Sequence, residues 1–488
     1  MATRQHWSTR LAFILAASGS AVGLGNLWKF PYITGTYGGG AFVLVYLVCT
    51  AIIGFPVLIS EIFIGQKAQT NVVKAFEENH RRYSPWRIAG WMGLLSGFLI
   101  LSFYSVVGGW VLDFLLRAIL NQFAGHSGAE IETYLESLFS NAWRIIIWHF
   151  IFMGLTITIV AKGLNKGLER LNNFLMPSLS VILLFLLVYS FFLPGFGRAV
   201  SFMFVPDITK LGVEGILQAV GHAFFTLSLG MGVMVTYGSY LSENESLPRV
   251  AGNVTVLNTL IALIAGIVIF SIVFSYGGEP AEGPTLMFQT LPVLFSQMPG
   301  GYLVAIAFFL LAGFAALTSA VSLLEVVVTY WEETHRKSRL GTALICGVTV
   351  ALLGVLCALS FNVLSGFKIG GLTFFNLFDT LTAQLLLPLG GALISLFFGW
   401  VLGSQAVKVI TGKPITNLFS QVLLWTTRAI APLFILVMLV YTIMQGLNDK
   451  LIGNLHTRQM RSLLRHYLTH RQFTIERSSG SSGRNQHA

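Results

Sequence analysis

Six polar side chains stand deep inside apolar stretches of this chain: Asn26, Thr226, Ser228, Asn258, Thr318 and Ser319. Amide and hydroxyl oxygens are ligands for a hard monovalent cation, by analogy with the hard divalent ions. A lone Ser or Thr equally well bonds its own helix backbone, so residue type alone leaves both readings open. Their surroundings are more telling. Residues 18 to 31 read Ser-Gly-Ser-Ala-Val-Gly-Leu-Gly-Asn-Leu-Trp-Lys-Phe-Pro where an unbroken apolar helix is expected. In hydrocarbon an unpaired backbone group costs several kcal/mol, so irregular backbone survives only where it lines a cavity or binds something. A second interruption is Phe224-Phe225-Thr226-Leu227-Ser228-Leu229-Gly230-Met231-Gly232. Half-helix N-termini offer N–H groups and a positive dipole end to an anion, and freed carbonyls offer oxygens to a cation. Close packing through small residues such as Gly19 and Gly23 is the plain alternative for either break taken alone.

The elements that carry these residues are membrane spans. The 488 residues are 55% apolar and only 10% charged, with mean hydropathy +0.74. A soluble domain carries about a quarter charged residues. Cys49, Cys346 and Cys357 are too few and scattered for a disulfide framework or metal site. The short polar N-terminus and the long first apolar segment read as uncleaved. Runs of about 20 apolar residues fall near 11–37, 41–65, 89–121, 144–161, 171–193, 214–241, 250–276, 302–331, 341–360, 373–402 and 424–446. This predicts an all-α polytopic membrane protein with eleven transmembrane helices. With the N-terminus inside, inner connections carry seventeen Lys and Arg against five outside, which decides that orientation. The tail runs against this count. Eleven spans place it outside, yet residues 450–484 hold seven basic side chains. Leu451–Leu468 reads as an interfacial amphipathic helix, and the Ser/Gly-rich end from Ser478 as disordered.

The breaks lie in spans one and six. That offset predicts a five-plus-five repeat, and paired breaks point to a transporter site near the membrane midplane. The domain reading is one transporter unit over 1–446, with repeats 11–193 and 214–402, helix eleven at 424–446 and a basic tail over 447–488.

At these residues the chain resembles a known family. Ala21-Val22-Gly23-Leu24-Gly25-Asn26-Leu27-Trp28-Lys29-Phe30-Pro31, Gly38-Gly39-Gly40-Ala41-Phe42 and the 224–232 motif look like the neurotransmitter:sodium symporter family, in order and at its spacing. The resemblance implies a LeuT-like fold, two inverted five-helix repeats with helices 1 and 6 broken. It implies sodium-coupled symport of an amino acid by alternating access. One sodium site would use the Ala21 carbonyl, Asn26, Thr226, Asn258 and the substrate carboxylate. A second would use the Gly19, Val22 and Ala315 carbonyls with Thr318 and Ser319. The substrate pocket would be lined by Leu24, Gly25, Ile100, Tyr104, Phe225, Ser228, Met231, Ser319 and Leu323, with Phe225 as the lid. Relatives that carry amines hold an Asp at the place of Gly23, so the resemblance implies a substrate bringing its own carboxylate. The side-chain pocket of Ile100, Phe225, Met231, Ala320 and Leu323 is expected to be apolar throughout, which selects neutral hydrophobic or aromatic amino acids.

Gates follow from the same resemblance. Lys29 and Asp379 match an outer pair, and Arg4 and Glu333 an inner pair with Trp7 and Tyr240 beside it. Glu61 is left as the lone acid of the spans, placed to bond the broken sixth helix. Charge compensation beside the first sodium site stays open. The position of a carboxylate in many bacterial members is Ala262, and His222 stands where a Gln is usual, with Tyr46 nearby. Either a protonated His222 attracts chloride or compensation is absent, which replacing chloride by gluconate across pH would separate. A non-transporting amino-acid sensor with the same pocket is the alternative function. An enzyme is disfavoured by the lack of a nucleophile–base or metal constellation. Nucleic-acid binding is disfavoured because positive-inside connections already account for the basic charge. The expected surroundings are a plasma membrane, as in a bacterial inner membrane, with the N-terminus cytoplasmic. The partners are an amino acid and the lipid bilayer; oligomeric state is not legible.

Overall fold

Apolar runs of this length cannot leave backbone groups bare in lipid, and this chain satisfies them with helices. The computed structural model describes residues 4–280, 286–442, 444 and 445. The chain forms two units, divided after Leu436, and the first carries the membrane core. Among the described residues nine single helices are long and apolar enough to cross a bilayer, and one bent pair makes ten. The first segment is that pair, Arg10–Ala21 and Gly25–Thr36, bent by 50°. Segments two to five are Gly40–Ala68, Arg87–Ile119, Ala142–Ala161 and Leu164–Ser190. The sixth is Gly212–Thr226 followed by Val233–Gly238. Segments seven to eleven are Leu247–Ser275, Gly301–His335, Arg339–Leu359, Phe374–Thr411 and Leu418–Thr442.

The expected count of eleven is met only if the sixth segment is taken as one. Its pieces are 15 and 6 residues long, each too short to cross alone. The sequence marks the break but not its width. Three boundaries also move. The fifth segment starts at Leu164 rather than 171, because a π-helical turn over Leu164–Glu169 extends it back to Gly163. The tenth runs to Thr411 rather than 402, bending at Gly403, where φ is +56°. The eleventh begins at Leu418 rather than 424. The basic tail, including Leu451–Leu468 and the Ser/Gly-rich end, lies outside the described residues.

Segments five apart in the chain are also neighbours: the third segment lies against the eighth and the fourth against the ninth. The half-helix Arg10–Ala21 sits among the fifth, seventh and eighth. Small residues permit the close approaches: a Cβ at Gly109 would come 2.9 Å from the His149 backbone nitrogen. At the far end of the third segment, fully buried Asp113 accepts from Arg117 Nε (2.8 Å), Arg144 Nε (2.6 Å) and Trp148 Nε1 (2.7 Å). A buried carboxylate needs this many charged and neutral donors to be tolerated. It ties segments three and four to the short helix Gly128–Ser140, whose Tyr134 ring lies 4.5 Å from the Arg117 guanidinium.

Candidate functional site

Both breaks open toward one cavity. In the first, Val22 turns to an extended backbone (φ −80°, ψ 91°), and helix resumes only at Gly25. In the second, Ser228, Gly230 and Gly232 all take positive φ, at +54°, +76° and +75°. Ser228 is the costly one, since αL is uncommon for a residue with a Cβ. The Gly230 N–H freed by this turn donates to Glu61 Oε1 at 2.7 Å. A Cβ at Gly230 would run into the Leu387 carbonyl of the tenth segment, so only glycine fits both conformation and space.

The cavity is lined by Ser20, Ala21, Gly23, Gly25, Ile100, Tyr104, Phe225, Thr226, Ser228, Met231, Ser319, Ser322 and Leu323. Eight of the nine side chains and glycines expected around a substrate are among them: Gly25, Ile100, Tyr104, Phe225, Ser228, Met231, Ser319 and Leu323. Leu24 is not; instead its N–H donates to the Tyr104 hydroxyl at 3.3 Å. One correction follows: Ala320 is buried away from the cavity. Ser20 and Ser322 join the expected Ser228 and Ser319 in the lining. Ser20 Oγ lies 2.7 Å from Ser322 Oγ and 3.2 Å from Ser228 Oγ. The remaining hydroxyl protons go to backbone: Ser228 and Ser319 donate to the Ser20 carbonyl and Ser322 to that of Ser319. In the sequence, Ser322 sits one turn after Ser319 on the same helix face, which was the signal available for it.

Gly23 is tightly enclosed. A Cβ there would lie 2.6 Å from Ser319 Oγ and 3.2 Å from the Tyr104 hydroxyl. Beside it, Asn26 Nδ2 donates to Asn258 Oδ1 at 2.9 Å and to the Asn258 carbonyl at 3.2 Å. That Asn258 oxygen faces the Ala21 and Thr226 carbonyl oxygens, each 3.2 Å away. Oxygens this close with no proton between them repel. A cation among them relieves this, as does turning the amide over so that its NH2 donates to both carbonyls. Thr226 Oγ1 bonds the His222 carbonyl (3.0 Å) and the Tyr46 hydroxyl (3.3 Å). In the eighth segment Thr318 Oγ1 donates back to the Phe314 and Ala315 carbonyls, as a helix threonine does. The Arg10–Ala21 half-helix, with Gly19 at its end, packs against this segment. His222 is buried against the Phe30 ring at 5.6 Å and the Tyr46 ring at 5.4 Å. Neither of its ring nitrogens has a partner among the described residues. Ala262 is fully buried and contributes no charge.

The two ends of the site differ. On the N-terminal side Arg4 pairs with Glu333. Arg4 also bonds the Ser239 carbonyl (3.1 Å) and hydroxyl (2.6 Å), and its guanidinium covers the Tyr240 ring at 4.8 Å. Glu333 accepts in addition from the Asn71 N–H at 2.8 Å. Trp7 is buried, with Nε1 on the Tyr237 carbonyl at 3.1 Å and its ring edge-on to Tyr237 and Tyr240. Behind this layer lies a second that the sequence reading missed. Glu325, buried in the eighth segment, pairs with Arg339 and accepts from the Tyr240 hydroxyl at 2.8 Å. Glu61 is therefore not the lone acid of the spans, since Glu325 and Asp113 are equally buried. On the other side Lys29 and Asp379 form no ion pair among the described residues. Lys29 Nζ sits 4.9 Å over the Phe225 ring, and Asp379 is exposed. On the N-terminal side the expected pair is joined, and on the opposite side it is apart. Arg4→Ala removes the charge-assisted bonds on the N-terminal side, each worth about 1.5–3 kcal/mol. It is expected to raise labelling of a Thr329→Cys reporter from the N-terminal side on the order of tenfold; unchanged labelling would rule out a sealing role.

Paired broken helices around a shared cavity, in a bundle repeating with an offset of five, define a LeuT-like membrane transporter. The sequence profile of the Sodium:neurotransmitter symporter family matches residues 4–130 and 129–454, and this chain belongs to that family. The uncharacterized sodium-dependent transporter YhdH of Bacillus subtilis is 39% identical over 433 residues, 88% of this chain and 96% of its own length. An uncharacterized sodium-dependent transporter of Haemophilus influenzae is 34% identical over 90% of this chain and 98% of its own. The crystal structure of MhsT in complex with L-phenylalanine matches with a TM-score of 0.83 and 44% identity, over 90% of this chain and 99% of MhsT.

Proposed function

We propose that this chain is a sodium-coupled symporter of neutral, hydrophobic or aromatic amino acids, working by alternating access. The observation that carries the reading is one cavity lined by both breaks. MhsT, similar over nearly its whole length, was crystallised with L-phenylalanine. In this reading the Leu24 and Gly25 N–H groups and the Tyr104 hydroxyl hold the substrate carboxylate. Carbonyls of the second break near Phe225 and Ser228 accept from its ammonium, and Phe225 closes over it. Asn26, Thr226, Asn258 and the Ala21 carbonyl take one sodium ion, completed by the substrate carboxylate. Thr318, Ser319 and the Gly19, Val22 and Ala315 carbonyls take a second.

Coupling follows from shared ligands. A carboxylate that both occupies the pocket and completes an ion site makes each binding event favour the other, and by linkage the effect is reciprocal. Ion binding favours the arrangement with Arg4 and Glu333 joined, here assigned to the cytoplasmic side of a plasma membrane. Substrate permits closure over Lys29 and Asp379, and the bundle then opens inward by population shift. Binding of labelled L-phenylalanine to purified protein in sodium and in potassium tests the reading. Tight binding in sodium alone is expected, and equal binding in both would overturn the coupling.

Met231 sets pocket size in this account, because its flexible thioether fills irregular space. Met231→Phe is expected to move a competition panel toward smaller substrates, leucine over tryptophan, by about tenfold, the scale of an extra methylene or two in a filled pocket. An unchanged order would remove Met231 from the pocket wall.

A further inference from the structure

Between Asp379 and Asp449 the chain contains no acidic residue, yet it carries Lys408, Lys413 and Arg428. Arg428 lies inside the eleventh segment, in the π-helical turn Thr426–Ile430. Its Nε donates to the Gly399 carbonyl at 2.7 Å. Its guanidinium lies 5.3 Å from the centre of the Trp400 indole, whose Nε1 donates back to the Arg428 carbonyl at 3.1 Å. These contacts fix one face and one nitrogen of the guanidinium. Its two terminal nitrogens bond no group of the chain among the described residues, and no acid pairs with it there. The bend of the tenth segment at Gly403 makes room for it: a Cβ at Gly403 would lie 3.4 Å from an Arg428 terminal nitrogen.

The level in the membrane is set by neighbours. Phe397, one turn before Trp400, packs on Phe76, His80 and Trp86. These belong to the connection after the second segment, where Asn71 bonds Glu333, the partner of Arg4. Arg428 therefore faces the boundary on the N-terminal side. Trp400 (64% exposed) and Trp425 (57% exposed) point outward beside it, and exposed tryptophans mark the headgroup level. An unpaired arginine at that depth is costly unless a counter-charge reaches it, and no acid among the described residues pairs with this one.

We infer that Arg428 and Trp400, supported by the exposed Lys408 and Lys413 of the stretch of chain between them, form a binding site for the phosphate headgroup of an anionic phospholipid in the leaflet on the N-terminal side. The planar fork of arginine suits phosphate oxygens, and three positive charges without an acid favour a net-negative lipid over a zwitterionic one.

Purified full-length protein in micelles with equal phosphatidylglycerol and phosphatidylcholine, read by native mass spectrometry, tests it. Wild type is expected to retain phosphatidylglycerol preferentially. Arg428→Gln should lower that ratio about fivefold, the factor for one basic group near an anionic surface, and Arg428→Lys should lower it less. If Arg428→Gln fails to fold, the exposed Lys408→Gln, Lys413→Gln double variant, which removes two basic groups, should lower the ratio at least about fivefold with unchanged thermal stability. A lower melting temperature with an unchanged lipid ratio would mean that Arg428 only caps the Gly399 carbonyl, and would overturn the site. Displacement of phosphatidylglycerol by inorganic phosphate, at matched ionic strength with chloride, would overturn the lipid as its source.

Discussion

Gly23→Asp is expected to reduce amino-acid uptake to background while leaving the protein folded in detergent. The Cβ alone would lie 2.6 Å from Ser319 Oγ and 3.2 Å from the Tyr104 hydroxyl. Overpacking of this kind costs about 1–3 kcal/mol. The carboxylate would then stand beside the place proposed for the substrate's own, and like charges brought together cost several kcal/mol more. Gly23→Ala separates the two terms: it carries only the overpacking, so affinity should fall about 5- to 150-fold without being lost. Equal losses in both variants would show that space, not charge, sets the carboxylate requirement. Wild-type uptake in Gly23→Asp would contradict the pocket assignment.

Glu61→Ala is expected to cost the most stability of any single change near the site. Glu61 is fully buried, and its Oε1 is the acceptor for the Gly230 N–H at the centre of the second break. Removing it strands a backbone donor among helices, at a cost of about 1–3 kcal/mol, and leaves a cavity besides. The melting temperature in detergent should fall and sodium-dependent binding with it. Glu61→Gln keeps an amide oxygen at the same place, so it should recover most of the stability. If Gln were as damaging as Ala, the role would rest on charge rather than on satisfying Gly230.

The two breaks were legible because lipid leaves so little freedom. Glycines, Asn26 and Pro31 in an apolar run have few uses, and the structure opens the helix there. Their offset of five carried the repeat, and the third and eighth segments, like the fourth and ninth, lie side by side. The pocket wall was expected from the family resemblance, through the two motifs that hold Gly25 and Met231, and eight of its nine residues line the cavity. Ser20 and Ser322 were not, because a serine that lines a cavity and one that bonds its own helix read alike. Glu325 was overlooked although it is an acid inside an apolar helix. Its partner Arg339 lies past the turn after the eighth segment, where a basic residue reads first as an inner-side charge. The width of the sixth break and the extension of the tenth segment past Gly403 depend on φ angles that glycine permits but does not dictate. The expected meeting of Lys29 with Asp379 is a property of one conformation, and in this one Lys29 rests over Phe225.

The central claim is that the cavity at the two breaks couples an amino acid to sodium. Proteoliposomes containing the purified protein, given labelled L-phenylalanine with an inward sodium gradient, test it most directly. Accumulation above the outside concentration is expected, collapsing when external sodium is replaced by potassium and absent in Gly23→Asp. Uptake that proceeds equally without sodium would contradict the account.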